Sequence, residues 1–277
     1  MQQIIECLNS GEMILLVGSG VSAELGLPTW PALCEKLRAQ VPIGVAGRDE
    51  AERLLAKARY SEFMGWMERF VGREALRQLL GEILADTGTI GPISSLLARL
   101  PFKQVLTTNF DGTLGRHFEA AGRYVPIVVN TKEGLSSIVL DSTFSMIKLH
   151  SDLDHSDTLI VTAEDYDRAS QAGEWQYFRD FLLTVFTRNV LIVGYSVTDP
   201  DINIVLTHLR QNLARPNSLH AILADAEQKM FDDSRINITS TYTAIRPIKA
   251  ITPSSTTCFD PWNHSLLRPH GPDPPLN

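Results

Sequence analysis

Residues 13–30, MILLVGSGVSAELGLPTW, carry an apolar run, Met13–Val17, into the turn Gly18-Ser19-Gly20 and then into a segment expected to be helical. Strand, glycine turn and helix in that order are the layout of a nucleotide phosphate site. Glycines at 18 and 20 let the backbone turn sharply and approach a ligand closely. The free N–H groups and positive dipole end of a helix starting there favour an anion. With Ala23 the turn matches G-x-G-x-x-A, a pattern that also occurs where a strand merely ends; the strand–turn–helix setting favours binding.

Outward from this turn the chain alternates. Ile4, Ile5 and Leu8 predict a short opening helix ended by Gly11, and Leu33, Leu37 and Val41 predict a helix that completes the first βα unit. Between 48 and 100 there is no strand signal, while Leu76, Leu79, Leu80, Ile83 and Leu84 recur at helical spacing. A helical insert over about residues 42–100 is therefore expected, a lid-like element beside the sheet. After Pro101 strands are expected at 104–107, 125–129, 144–149, 190–193, 220–223 and 244–248. Helices are expected at 111–121 and at 174–188, the latter with Phe178, Phe181, Leu182 and Val185 inward. Near-continuous apolar strands separated by helices indicate an α/β fold, a Rossmann-like parallel sheet with helices on both faces and a ligand at the carboxyl ends of its strands.

Composition narrows the function. The 277 residues are 44% apolar, enough for a large core, and the net charge of −7 argues against nucleic acid or an anionic membrane as partner. A small anionic ligand in a local pocket fits better. Cys7, Cys34 and Cys258 lie far apart and form neither a C-x-x-C pair nor a disulfide framework, which suits a reducing compartment and argues against structural zinc. The apolar stretch at 13–17 is too short for a signal-peptide core or a membrane span, so a cytoplasmic protein is expected. Residues 251–277 hold six prolines and few apolar residues, and are expected to be mostly disordered.

The polar residues gather at the expected strand ends: Thr107-Thr108-Asn109-Phe110-Asp111, then His150, then Gly194-Tyr195-Ser196. Each has a plain structural reading as well. Asn109 and Asp111 are suited to capping the next helix, His150 to a structural place at a strand end, and Asp199-Pro200-Asp201 to a helix start that steadies 194–196. Their shared edge is what argues for a site.

In this order, Gly18-Ser19-Gly20-Val21-Ser22 with Leu27-Pro28, Thr108-Asn109-Phe110-Asp111, Lys148-Leu149-His150 and Gly194-Tyr195-Ser196 resemble the NAD-binding landmarks of the sirtuin superfamily. Together with Thr162-Ala163-Glu164-Asp165-Tyr166 they look most like the prokaryotic sirtuin-like domains of anti-phage defence systems. The resemblance covers about residues 1–250. It implies a domain in which Asn109 and His150 are the catalytic pair, and Gly18, Ser19, Gly20, Ser22, Thr108, Asp111, Gly194 and Ser196 line the dinucleotide site. It also implies NAD as substrate, and a homo-oligomer or a defence-system partner. Departures from the deacylases are equally informative. No cysteine lies between Cys34 and Cys258 to build their zinc ribbon, Ser151 follows His150 where they carry glycine, and Thr29-Trp30 follow Pro28 where they carry Asp-Phe-Arg.

The chemistry implied is cleavage of the bond between ribose and nicotinamide. The transition state is oxocarbenium-like and the leaving group needs no protonation, so one oriented amide and one base suffice. Asn109 can hold a water or a ribose hydroxyl, and an imidazole, with an ordinary pKa of about 6.5, can accept a proton. Asp111 is open between binding the carboxamide and stabilising positive charge. Two rivals to an NAD+ glycohydrolase stand at this point: a zinc-free protein deacylase, and a non-catalytic module that binds NAD or ADP-ribose.

Overall fold

Met13–Val17, the apolar run of the opening segment, forms strand β1 at the centre of the sheet, all five of its residues buried. The computed structural model describes residues 2–85, 87–138, 144–170, 176–195 and 219–222. In chain order, α1 (Gln2–Ser10) precedes β1, and α2 (Ser19–Ser22) and α3 (Trp30–Ala39) follow it. Then come α4 (Arg48–Ala56), α5 (Tyr60–Val71), α6 (Arg73–Ile83), α7 (Pro92–Arg99), β2 (Gln104–Thr107), α8 (Thr113–Ala120) and β3 (Ile127–Val129). The remaining elements are α9 (Lys132–Ser136), β4 (Ser145–Lys148), α10 (Ala163–Ser170), α11 (Gln176–Phe186), β5 (Asn189–Val193) and β6 (Leu219–Ile222). Gly11 ends α1 with φ +70°, where only a residue without a Cβ sits at ease.

The strands form one parallel sheet in the order β3-β4-β2-β1-β5-β6, as an α/β alternation requires. Period-2 alternation sends Ile14 and Leu16 to one face and Met13, Leu15 and Val17 to the other. The first face is covered by α9, α10 and α11 through Leu135, Tyr166, Phe178, Leu182, Val185 and Phe186; Phe181 is only partly buried. The second is covered by α1, α7 and α8 through Ile4, Leu97, Ala98, Leu114 and Phe118. From β1 the chain runs outward through β2, and later returns to the opposite side of β1 as β5. The direction of winding thus reverses between β1 and β5, the place where open α/β sheets bind ligands.

A third core lies away from the sheet. Leu33, Cys34 and Leu37 of α3 join Phe63, Met64 and Met67 of α5 and Leu76 and Leu80 of α6, and meet the sheet domain through Phe110, Leu159 and Val161. Among the described residues of 42–100 there are four helices and no strand. The packing boundary nevertheless differs from the pattern read from sequence. Helix α3, expected to complete a βα unit on the sheet, belongs to the helical core, whereas α7 covers the sheet and packs on α8. Local periodicity finds helices but cannot say which core receives their apolar face.

The helix expected directly after the glycine turn is a single turn, α2. A 3₁₀ turn, Ala23–Leu25, and Gly26 at φ +83° end it, and the long helix begins only at Trp30. Helices α9 and α10 had no counterpart in the sequence pattern. The strand expected at 244–248, the helix start at 199–201, Ser196, Cys258 and the 251–277 tail lie outside the described residues.

Candidate active site

The glycine turn after β1 and the turn after β5 interlock at the reversal point. Gly18 N–H donates to Val193 O (3.0 Å), Gly20 N–H to Gly194 O (2.9 Å) and Val21 N–H to Gly18 O (3.2 Å). A Cβ on Gly18 would stand 2.5 Å from Gly194 O and 2.8 Å from the Tyr195 ring, and one on Gly20 would stand 2.8 Å from Gly194 O. Gly194 itself has φ +71°, and a Cβ there would be 2.7 Å from Val21 N. The space these glycines leave is thus filled by each other's backbone. Two N–H groups that the sequence suggested for an anion are engaged within the protein; Ser19, half-buried, opens α2 and accepts from Ala23 N–H through its carbonyl.

The residues after β2 build a polar cluster on this turn. Thr107 Oγ1 donates to Val17 O (2.8 Å) and accepts from Asn109 N–H (3.1 Å), setting the first residues of the loop against the end of β1. Asn109, 7% exposed, donates through Nδ2 to Gly18 O (3.2 Å) and Ser22 Oγ (3.1 Å). Ser22 Oγ in turn donates to the Asp111 carboxylate (3.2 Å to Oδ2), and Asp111 Oδ1 accepts from Thr113 N–H (3.0 Å) at the start of α8. Because Gly18 O can only accept, the nitrogen end of Asn109 must face it, which fixes the amide orientation. Oδ1 is then the free acceptor: among the described residues no group donates to it. Asp111 therefore caps, as one reading held, and also closes a circuit with Ser22 and Asn109.

Lys148, the last residue of β4, completes the loop from the other side. Its Nζ donates to the carbonyls of Asn109 (3.3 Å), Phe110 (2.9 Å) and Asp111 (2.6 Å), matching three ammonium hydrogens to three acceptors. Burial pushes its pKa down, while the charges of Asp111, Asp152 and Asp154 act to hold the proton.

His150 follows two residues later and is 3% exposed. Its ring lies edge-on to Tyr166 (centroids 5.3 Å apart, 88°) and 6.2 Å from Phe110, which stands 6.3 Å from Trp30. Aromatic groups from the helical core and from α10 thus flank the imidazole. Ser151 then adopts φ +64°, the left-handed conformation a glycine would take freely. Its N–H donates to Lys148 O (3.1 Å) and its Oγ lies 2.8 Å from Thr158 Oγ1.

Tyr166 is held in turn by its own helix start. Asp165 N–H donates to Thr162 Oγ1 (3.1 Å), and Asp165 Oδ2 accepts from the N–H groups of Thr162 (2.9 Å) and Val161 (3.1 Å), a capping box. Arg73 of α6 donates to Asp165 Oδ2 (2.8 Å) and Leu159 O (2.6 Å), and Arg168 pairs with the same carboxylate. Burial alone would raise the Asp165 pKa, but Arg73 and the two backbone N–H groups hold it below the usual carboxylate range.

Gly18, Gly20, Ser22, Asn109, Asp111 and Gly194 therefore meet at one place, and His150 is tied to it through Lys148 and Phe110. Thr108 lies at the same edge, its Oγ1 accepting from Tyr195 Oη (2.7 Å). Lys148, Ser151 and Tyr195 carry this arrangement without having been singled out as site residues. Lysine at a strand end after an apolar run was a usable signal, since its charge demands a partner; the contacts of Ser151 and Tyr195 had none. Among the described residues no three of His, Cys, Asp or Glu converge as metal ligands, and no helix is long and apolar enough to cross a membrane.

A doubly wound parallel sheet, with buried Asn, Asp and His at the carboxyl edge beside its reversal point, defines a Rossmann-like α/β protein. The chain belongs to the SIR2-like domain family, whose model matches residues 103–248, more than half of it. It is 22% identical to the NAD(+) hydrolase ThsA of Bacillus cereus (strain MSX-D12), over 79% of this chain and 44% of that protein. It is 25% identical to the NAD(+) hydrolase ThsA of Enterococcus faecium, over 83% of this chain and 46% of that protein. The defense-associated sirtuin 2 of Bacillus subtilis is 22% identical over 76% of this chain and 20% of its own length. The chain spans less than half the length of these relatives.

Proposed function

We propose that this chain is an NAD+ glycohydrolase, a toxic effector of anti-phage defence whose catalytic domain is residues 1–250, with Asn109 and His150 as its catalytic pair. The observation that carries this reading is the anchored Asn109 amide. Its nitrogen is bound to Gly18 O and Ser22 Oγ, so its oxygen accepts from a ligand hydroxyl or a water, at a strand end next to that of His150. The names of the relatives support the same substrate.

In this reaction the bond between ribose C1′ and the nicotinamide nitrogen breaks and its electron pair leaves with nicotinamide. Water adds its oxygen to C1′ and His150 receives the water proton, giving nicotinamide, ADP-ribose and H+. Gly18, Ser19, Gly20, Ser22, Thr108, Asp111, Gly194 and Ser196 line the dinucleotide site. Asp111, its carboxylate bonded by Ser22, offsets positive charge on the ribose ring as the bond opens. The helical core around Trp30 and Phe110 excludes water from the side facing the imidazole. NAD is a cytoplasmic metabolite, so the cytoplasm is the compartment of action, and a homo-oligomer or a defence partner controls when the site works.

The test is nicotinamide release from NAD+ by the purified chain, with and without an acyl-lysine peptide. Release without peptide, lost in both Asn109→Ala and His150→Ala while the fold is kept, is the expected result. Release that requires the peptide would identify a deacylase. NAD binding without turnover under every condition would leave a binding module.

A further inference from the structure

We infer that Lys148 is the positioning residue of this site, the group that sets the Asn109 amide relative to His150. The inference rests on the reading of Asn109 and His150 as the catalytic pair and adds to it the device that couples them. Three observations carry it. All three ammonium hydrogens are directed at successive carbonyls, those of Asn109, Phe110 and Asp111, so one side chain fixes the path of the whole loop. Its backbone is itself fixed, because Lys148 pairs in register with Thr107 of β2 and Val129 of β3. Its carbonyl accepts from Ser151 N–H, closing the turn that carries His150. The strand end that presents the base is therefore bonded, through one side chain, to the strand end that presents the amide.

A buried ammonium is a demanding choice for this task. Neutral lysine offers two hydrogens and cannot serve three carbonyls, and an apolar side chain would leave the three carbonyls without this donor. The desolvation that lowers the Lys148 pKa is opposed by Asp111, whose carboxylate belongs to the same loop, so the loop helps to keep the cation that orders it.

The test is Lys148→Met, which keeps the length and apolar body of the side chain and removes the ammonium, compared with Asn109→Ala and the double variant. If Lys148 acts through Asn109, Lys148→Met lowers kcat by about a hundredfold, with KM for NAD+ changing by a few-fold at most. Asn109→Ala then adds little in the Lys148→Met background. Independent, multiplying losses in the double variant would overturn the inference. Hydrogen–deuterium exchange supplies a readout that needs no turnover. Exchange at residues 107–113 should rise in Lys148→Met while the β1 amides keep their protection, and unchanged exchange there would also overturn it. Should Lys148→Met not fold, Lys148→Arg retains a cation and donors but not a geometry for three carbonyls at once. It should fold, lose kcat and show the same local exchange; wild-type turnover in that variant would refute the idea. A native chain that folds yet releases no nicotinamide under every condition would sink the glycohydrolase reading, and the exchange result would still decide the role of Lys148.

Discussion

Two glycines with similar positive φ but different surroundings separate conformational strain from packing. Gly26 (φ +83°) has nothing within 4 Å of where a Cβ would stand, whereas a Cβ on Gly194 (φ +71°) would lie 2.7 Å from Val21 N, 2.8 Å from Val21 Cγ2 and 3.2 Å from Gly18 O. Placing alanine in the left-handed region costs about 1–2 kcal/mol at either site. Gly26→Ala should lose that and no more. At Gly194 the two turns must also move apart by several tenths of an ångström. That movement breaks the Gly20 N–H to Gly194 O bond, at about 1 kcal/mol, and disturbs packing at about 1–3 kcal/mol. Gly194→Ala should therefore lose about 3–6 kcal/mol. For a chain of this size 1 kcal/mol is roughly 2–4 °C in Tm, so the two variants should differ by at least about 4 °C in thermal unfolding followed by circular dichroism. Equal melting temperatures would refute the interlock.

Three further outcomes follow from contacts elsewhere. Glu24 accepts from Ile93 N–H, Ser94 N–H and Ser94 Oγ at the start of α7, so Glu24→Ala should destabilise the fold by about 1–3 kcal/mol in urea unfolding. Ser151→Ala keeps the left-handed strain without the hydroxyl bond and should lose about 1 kcal/mol. Ser151→Gly, relieved of the strain, should stay within about 0.5 kcal/mol of the native chain; the opposite order would show that φ +64° is not strained here. The Asp165 pKa is depressed in the folded state, so its stabilisation is complete above the unfolded carboxylate range, near pH 4, and is lost as pH falls through the lower folded value. The stability gap between the native chain and Asp165→Asn should accordingly be constant from about pH 5 to 7 and shrink below pH 4; a gap that widens in acid would contradict the geometry.

The sheet was legible because each buried strand is a short, nearly continuous apolar run. MILLV and NVLIV announce themselves within five residues, and the parallel topology follows from the helices between them. The crowding at the strand ends was legible for the same reason, since a parallel sheet sends Asn109, His150 and Gly194 to one edge. What could not be read is how those ends touch. Gly18 and Gly20 were understood as making room for a ligand, but the atom in that room is Gly194 O, far along the chain. Lys148 resembled a family landmark, yet its three carbonyl partners lie 37–39 residues earlier, beyond any local pattern. The allegiance of α3 and α7 to different cores was hidden too, because amphipathic spacing records that a face is buried and not what buries it.

The place of β1 in the sheet also governs when the protein can exist. The central strand leaves the ribosome first among the six but pairs with β2 at residues 104–107 and with β5 at 189–193. At about 5–20 residues per second, synthesis through β5 lags that of β1 by on the order of ten seconds. During that interval the MILLV run lacks its β5 partner, and it is a segment for a chaperone to shield. The same delay has a protective side. The glycine interlock needs Gly194, so an unfinished chain lacks the junction on which the candidate site is built, and that junction forms only once synthesis has passed residue 194.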